Sequence, residues 1–487
     1  MDWQTVFRND SLRAVLRTLI SYGLFRQGTI RFIERKAQEA LLYEDAYGRP
    51  LQVQEDKKAL LSAVLHSIDR GIERGLISKR VLDRALRIFL LDVLCSRDIR
   101  LRAQERLGFM PPLFVTISPT MKCNLRCPGC YATSAPHCEA KLDWDTFDRI
   151  LTEMKELWGS CFAVISGGEP FLWNDNGRTF LDMAEKHDYR FFLVYTNGTL
   201  IDDKLARRLA ELGNITPAIS VEGYEAETDA IRGKGVYKRI LRAFDALREA
   251  GVMFGISITA TRRNWDLVTR EELFDFYFEE QGALYAWIFQ YMPIGRKHAF
   301  DLMVTPQQRL EMLRRVWRLV RERKMFIADF WNSGTASDGC IAAGRAGGYF
   351  YINWNGDVTP CVFIPYAAAN IYDIYRSGGT LNDVLQTPLF KRIRDWQHEY
   401  GYQQPAEKTR NWLCPCAIRD HFDNFLKAAQ ECPVTPIDPD AEQALGDPEY
   451  HRAMIQYGKE FDRISSEIWE REYIAPHKGG DQQRVAV

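Results

Sequence analysis

The sequence predicts an α/β protein: a partial (β/α)6 TIM-like barrel, preceded by a helical region and followed by a small domain held together by metal. Three observations predict this. Six short apolar runs alternate with helical stretches between residues 111 and 329, the segment before them shows helical periodicity throughout, and residues 330–440 lose both patterns while gathering cysteines. The expected division is therefore 1–110 helical, 111–329 barrel, 330–440 metal-stapled and 441–487 a helical tail.

In the first region Leu12, Val15, Leu16, Leu19 and Ile20 recur at helical spacing behind a cap at Asn9 to Ser11, and Leu61, Val64, Leu65 and Ile68 do so again. Each helix is expected to bury that face. Arg8, Arg13, Arg17, Arg26, Arg31, Arg35 and Lys36 lie along the first helical stretch. They read as a solvated face, with peripheral contact to a membrane surface as the alternative.

The barrel strands are read at LFVTIS (113–118), CFAVIS (161–166), FFLVY (191–195), PAISV (217–221), FGISIT (254–259) and YAWIFQ (285–290), with a helix from about Thr305 to Lys324 after the last. Continuous apolar strands separated by helices indicate a parallel sheet with crossover helices. Functional side chains should then collect at the C-terminal ends of the strands. Residues 330–440 are rich in Trp, Tyr, Gly, Pro and Cys and too poor in long periodic elements to bury a large core alone. Ile464, Ile468 and Trp469 give the last segment helical periodicity before a polar tail.

At 487 residues the chain exceeds one core of ordinary size, and 46% apolar with 26% charged residues reads as globular. The formal charge of −1 supplies no overall field toward nucleic acid. There is no apolar run of about 20 residues, as a spanning helix needs, and MDWQTVFRNDSLR lacks the parts of a secretory signal. A cytoplasmic location is expected, with any membrane association resting on the basic N-terminal helices. Eleven cysteines, eight of them in two patterned sets, point in a reducing compartment to metal ligation rather than disulfides.

The first set follows the first strand, in Met121-Lys122-Cys123-Asn124-Leu125-Arg126-Cys127-Pro128-Gly129-Cys130-Tyr131. A C-x3-C-x2-C spacing lets three thiolates wrap one face of a cuboidal iron–sulfur cluster and leaves the fourth iron open for chemistry. Later strand ends carry Ser166-Gly167-Gly168-Glu169-Pro170, Tyr195-Thr196-Asn197-Gly198 and Ser220, with Arg232 twelve residues beyond Ser220. Over residues 111 to 300 this constellation resembles the radical S-adenosylmethionine superfamily. The resemblance implies a [4Fe–4S] cluster on Cys123, Cys127 and Cys130 whose open iron is chelated by S-adenosylmethionine, and one-electron cleavage of the sulfonium to a 5′-deoxyadenosyl radical. It implies that Gly167, Gly168 and Glu169 meet the methionine amino group, that Thr196 and Asn197 hold the ribose, and that Ser220 and Arg232 bind S-adenosylmethionine, the arginine gripping its carboxylate. One departure stands out: the residue before the third cysteine, often aromatic in that family, is Gly129, which leaves Tyr131 as the candidate cover.

The second set reads C-x15-G-x4-C over Cys340, Gly356 and Cys361, with YFYIN and Asn355-Gly356 forming a predicted hairpin that brings the two thiols together. This resembles the SPASM and twitch domains that follow many radical cores, and implies a second [4Fe–4S] cluster on Cys340, Cys361, Cys416 and a fourth ligand, Cys432 or Cys414. A structural zinc on the same thiols is the alternative. Cys95, Cys138 and Cys161 fit neither set.

The resemblance implies hydrogen abstraction from an unactivated carbon, with electrons from a donor such as flavodoxin or ferredoxin. Two substrate classes are open: a peptide or protein side chain, or a lipid chain. The lipid class draws on the basic helices and on an aromatic strip at Tyr285, Trp287, Phe289, Tyr291 and Trp331. A non-enzymatic two-cluster electron carrier or structural metal-binding protein is the remaining alternative.

Overall fold

The computed structural model describes residues 23–43, 45, 47–88, 96–296 and 298–476. A strand forms in each of the six apolar runs: β1 Phe114–Ile117, β2 Phe162–Ile165, β3 Phe191–Thr196, β4 Ile215–Val221, β5 Gly255–Ala260 and β6 Ala286–Gln290. Each pairs in parallel with the next, and a further parallel strand, β7 Ile327–Asp329, joins β6. With three residues and no periodicity of its own, β7 leaves no signal in the sequence.

The hairpin of the cysteine-rich region forms as β8 Tyr349–Ile352 and β9 Asp357–Thr359, flanked by β10 Ala369–Asn370. Asn353 Oδ1 accepts from the Asn355 and Asp357 amides at 2.9 Å each, which closes the turn. Gly356 has φ +79°, and a Cβ there would fall 2.6 Å from the Tyr372 ring. The hairpin does not stand off as a separate layer. β8 pairs in parallel with β1, Phe114 opposite Tyr349, so one sheet runs β10-β9-β8-β1-β2-β3-β4-β5-β6-β7.

Crossover helices carry the local signals that place them. Asp143 caps the helix Trp144–Trp158 by accepting from the Thr146 amide at 2.8 Å, Gly159 ends it at φ +64°, and Phe147, Ile150, Leu151 and Met154 bury its inner face. Asp202 and Gly213 do the same for Asp203–Leu212.

At the N-terminus, α1 Gly23–Tyr43 packs on α2 Leu51–Glu73. The expected apolar face of α2 is not the buried one. Leu61, Val64 and Leu65 are half-buried and Ile68 is exposed, whereas Val53, Asp56, Ala63, Ser67 and Gly71 are buried. Small residues allow close approach there, and Asp56 fixes the face by accepting from Arg321 at 2.5 Å, Thr335 at 2.7 Å, Tyr473 at 2.8 Å and Gln52 at 3.1 Å. Arg26, from the basic stretch, is buried in an ion pair with Asp69, while Arg31, Arg35 and Lys36 are exposed. Leu12 to Ile20, Arg8, Arg13, Arg17 and Cys95 lie outside the described residues. Among the described residues no helix is long and apolar enough to cross a membrane.

The predicted late helix appears as α3 Pro306–Glu322, opened by a Thr305–Gln308 capping box. Packed on it is α4 Pro448–Ile468, which buries Met454, Phe461 and Ser465 and so is part of the core rather than a tail. Arg309 of α3 forms a fully buried ion pair with Asp420 at 2.5 Å, and Asp420 Oδ2 accepts the Cys416 amide at 3.0 Å.

Candidate active site

The first three cysteines stand on the loop that leaves β1. Cys123 is buried, and Cys127 and Cys130 are half-buried. Neighbouring strand ends hold that loop from several sides. Gly168 and Glu169 donate their amides to Thr120 O at 2.9 Å and Lys122 O at 2.8 Å. A Cβ on Gly168 would lie 2.2 Å from Lys122 O, so the close approach that the double glycine permits is to the cysteine loop itself. Asn197 Nδ2, at the end of β3, donates to Asn124 Oδ1 at 2.8 Å and lies 3.8 Å from Cys123 Sγ.

Glu169 is fully buried and its carboxylate is engaged: Oε1 accepts from Thr196 at 2.7 Å and Oε2 from the Asn197 amide at 2.9 Å. Burial pushes this carboxyl up to about 7 against those donors. The acid thus ties β2 to β3 beneath the loop.

Ser220 lies beside Ser257 of β5, one residue before the end of β4. Arg232 closes the helix Glu225–Arg232 and reaches back, donating through Nη2 to Glu222 Oε1 at 2.6 Å in a part-buried pair. Its Nε is buried without a protein partner. Burial raises the Cys127 thiol, and Arg232 and Arg296 pull it down; burial pushes Cys123 up to about 12.

Several contributors escaped the sequence reading. Glu222, two residues beyond Ser220, holds Arg232. Arg296, in the loop after β6, donates to Cys127 O at 2.5 Å and Ser134 O at 2.6 Å, while its amide donates to Cys130 O at 3.1 Å. Their signal was position just past a strand end. The Tyr131 hydroxyl accepts from the Gly167 amide at 3.0 Å. The ring nearest Gly129 is that of Tyr291, 3.0 Å from where a Cβ would sit, so the end of β6 supplies an aromatic group there.

In the second set Cys340 and Cys361 both act on the thiol of Cys416, which burial raises. Cys361 Sγ is 2.9 Å from the Tyr349 hydroxyl, and burial pushes it up to about 12. Cys414 is fully buried with Sγ 4.0 Å from Gly458 O. Cys432 follows the helix Phe422–Glu431, and burial raises its thiol. Phe289, Phe330, Trp331 and Phe363 pack between the two sets, with Phe363 centred 4.6 Å from Trp331 and 6.5 Å from Tyr131. Tyr285 of the aromatic strip is instead a core residue, its hydroxyl donating to Pro217 O at 3.0 Å.

Among the described residues every cysteine is a free thiol, and no three Cys, His, Asp or Glu are gathered tightly enough for a single metal ion. The donor set of the first site fits a cluster with S-adenosylmethionine bound: three thiols on one loop, a buried guanidinium with a spare donor, and an amide nitrogen beside Cys123.

Residues 117–276 match the model of the radical SAM superfamily, and residues 340–417 that of the SPASM iron–sulfur cluster-binding domain. The chain thus carries a radical SAM domain followed by a SPASM domain, and the SPASM match spans Cys340, Cys361, Cys414 and Cys416 but not Cys432. Mycofactocin maturase MftC of Mycolicibacterium smegmatis is 28% identical over 376 residues, 73% of this chain and 89% of its own. An AdoMet-dependent heme synthase of Methanosarcina barkeri is 26% identical over 289 residues, 53% of this chain and 79% of its own. Among solved structures, Streptococcus suis SuiB bound to precursor peptide SuiA matches at TM-score 0.47 and 20% identity, covering 62% of this chain and 71% of that one. AdoMet-bound anSMEcpe matches at TM-score 0.49 and 18% identity, covering 73% and 100%.

Proposed function

We propose that this enzyme modifies a peptide by radical chemistry. The observation that carries the reading is the match to a maturase over 89% of that relative's length, together with the SPASM match over residues 340–417. When bound, the cluster and S-adenosylmethionine supply a 5′-deoxyadenosyl radical that takes a hydrogen atom from substrate carbon. The chain's own work is to bind and to orient. Cys123, Cys127 and Cys130 are the ligands of the first cluster, on a loop fixed by Gly168, Asn197 and Arg296. Arg232, steadied by Glu222, offers its free Nε to the methionine carboxylate. Ser220, Thr196 and the Gly167 backbone line the same mouth. Cys340, Cys361 and Cys416 hold the auxiliary cluster with Cys414 or Cys432 as fourth ligand, and an external one-electron donor serves the first cluster. The aromatic residues between the sets exclude water.

The test uses the anaerobically reconstituted full chain with reductant and S-adenosylmethionine. Replacing Cys123, Cys127 and Cys130 together by Ala should abolish 5′-deoxyadenosine formation. A cell extract exchanged against the enzyme in deuterated medium should show label in its peptide fraction. Label confined to tetrapyrroles would favour the second reading, which the heme synthase relative supports; label in lipids would revive the third.

A further inference from the structure

A cavity of about 210 Å³ opens beside the first cysteine loop, walled by Tyr131, Thr133, Tyr351, Trp354, Ile437 and Asp438 among others. Four parts of the chain meet there: the loop after β1, the loop after β6 at Ile294, the hairpin of β8 and β9 with the turn that follows it, and the segment before the helix Pro439–Gly446. That last segment is held by the antiparallel pair Tyr366–Ala367 with Thr435–Pro436. The Ile437 amide also donates to Pro365 O, and the Tyr366 hydroxyl to Ala441 O, each at 3.1 Å. None of Gly167, Glu169, Ser220 and Arg232 lines the cavity, so it lies apart from the cofactor residues.

The wall is mainly apolar and aromatic, with Thr133, Asn355 and Asp438 among it. Thr133 Oγ1 is shut off from solvent and has no hydrogen-bond partner. Its backbone holds φ +51°, a left-handed conformation unusual for a β-branched residue. Asp438 caps the following helix by accepting from the Ala441 amide at 2.7 Å, and burial raises its carboxyl.

We propose that this cavity seats one aliphatic or aromatic side chain of the peptide substrate. Volume selects the occupant. Pockets for whole small molecules run to roughly 300–1,000 Å³, whereas about 210 Å³ suits a single side chain and excludes a tetrapyrrole. The auxiliary hairpin would then serve substrate recognition as well as metal binding. This inference rests on the peptide reading above.

The probes are the N-acetyl amides of glycine, valine, leucine and phenylalanine, titrated into the reconstituted full chain and followed by saturation-transfer NMR. The three apolar amides should bind and the glycine amide should not. Ile437→Trp fills the cavity from a segment distant in sequence from Cys130, and should weaken leucine-amide binding more than tenfold. Iron content measured for this variant shows whether the cysteine sites persist. Equal binding of the glycine amide, or leucine-amide binding untouched by Ile437→Trp, would overturn the proposal. Iron coproporphyrin binding that Ile437→Trp abolishes would also overturn it. A wild-type chain that binds the amides yet forms no 5′-deoxyadenosine would count against the radical function alone and leave the side-chain seat standing.

Discussion

Arg232 is held before any ligand arrives: one nitrogen donates to Glu222 while Nε stays free. Arg232→Ala should therefore weaken S-adenosylmethionine binding by roughly 1.5–3 kcal/mol, more than tenfold in affinity, as measured by calorimetry. Unchanged affinity would mean that the carboxylate is held elsewhere. Gly168→Ala should be as damaging by a different route, because its methyl carbon would meet Lys122 O at 2.2 Å and push the cysteine loop away; loss of the first site's iron is the readout. His187 gives the pH dependence. Nearly sealed at 2% exposure, it contacts Asp148 and Tyr189, and burial pushes its imidazole from 6.5 down to about 4. The unfolded chain takes up that proton first as pH falls, so this stabilising contribution is complete above about pH 6.5 and is lost down to about pH 4. At 1.36 kcal/mol per pKa unit the loss approaches about 3 kcal/mol. Urea midpoints should fall across that window in the wild type, and His187→Gln should flatten the fall.

The loop after β6 acts as a clamp on another element. Arg296 bridges the carbonyls of Cys127 and Ser134, and Gly295 has no room for a Cβ, which would lie 2.4 Å from Tyr131 O. Arg296→Gln should lower iron in the first site while leaving the auxiliary iron in place, visible as selective loss of one cluster's signal on reduction; equal loss from both would point to general unfolding. The six main strands were legible because each is an apolar run closed by polar residues or glycine, and the rule that function collects at strand ends is what made the residues there candidates. Three features were not legible for physical reasons. The face of α2 is chosen by Asp56 and small residues, so hydrophobic periodicity pointed to the wrong side. The double glycine is spent on backbone packing against a loop that lies far off in sequence. Spacing alone could not tell Cys414 from Cys432, since that depends on how residues 411–432 fold over α4.

Across the whole molecule, the two cysteine sets share one sheet and one aromatic filling. Removing the first three thiols should leave about four irons per chain, the content of one cuboidal cluster, and Cys340→Ala or Cys361→Ala in that background should remove them and lower the melting temperature. Zinc in their place would refute the auxiliary cluster. Cys414→Ala and Cys432→Ala, compared for iron content, identify the fourth ligand. The parallel pairing of β1 with β8 also bears on how the chain is made. Residues 114–117 bond to residues 349–352, and at roughly 5–20 residues per second a ribosome needs on the order of ten to fifty seconds to deliver the second strand after the first. For that interval the emerging barrel presents an open edge next to the first set of cysteines. A stop codon anywhere before residue 349 would make the edge permanent, so truncated products of this gene should aggregate rather than persist as a working half-enzyme.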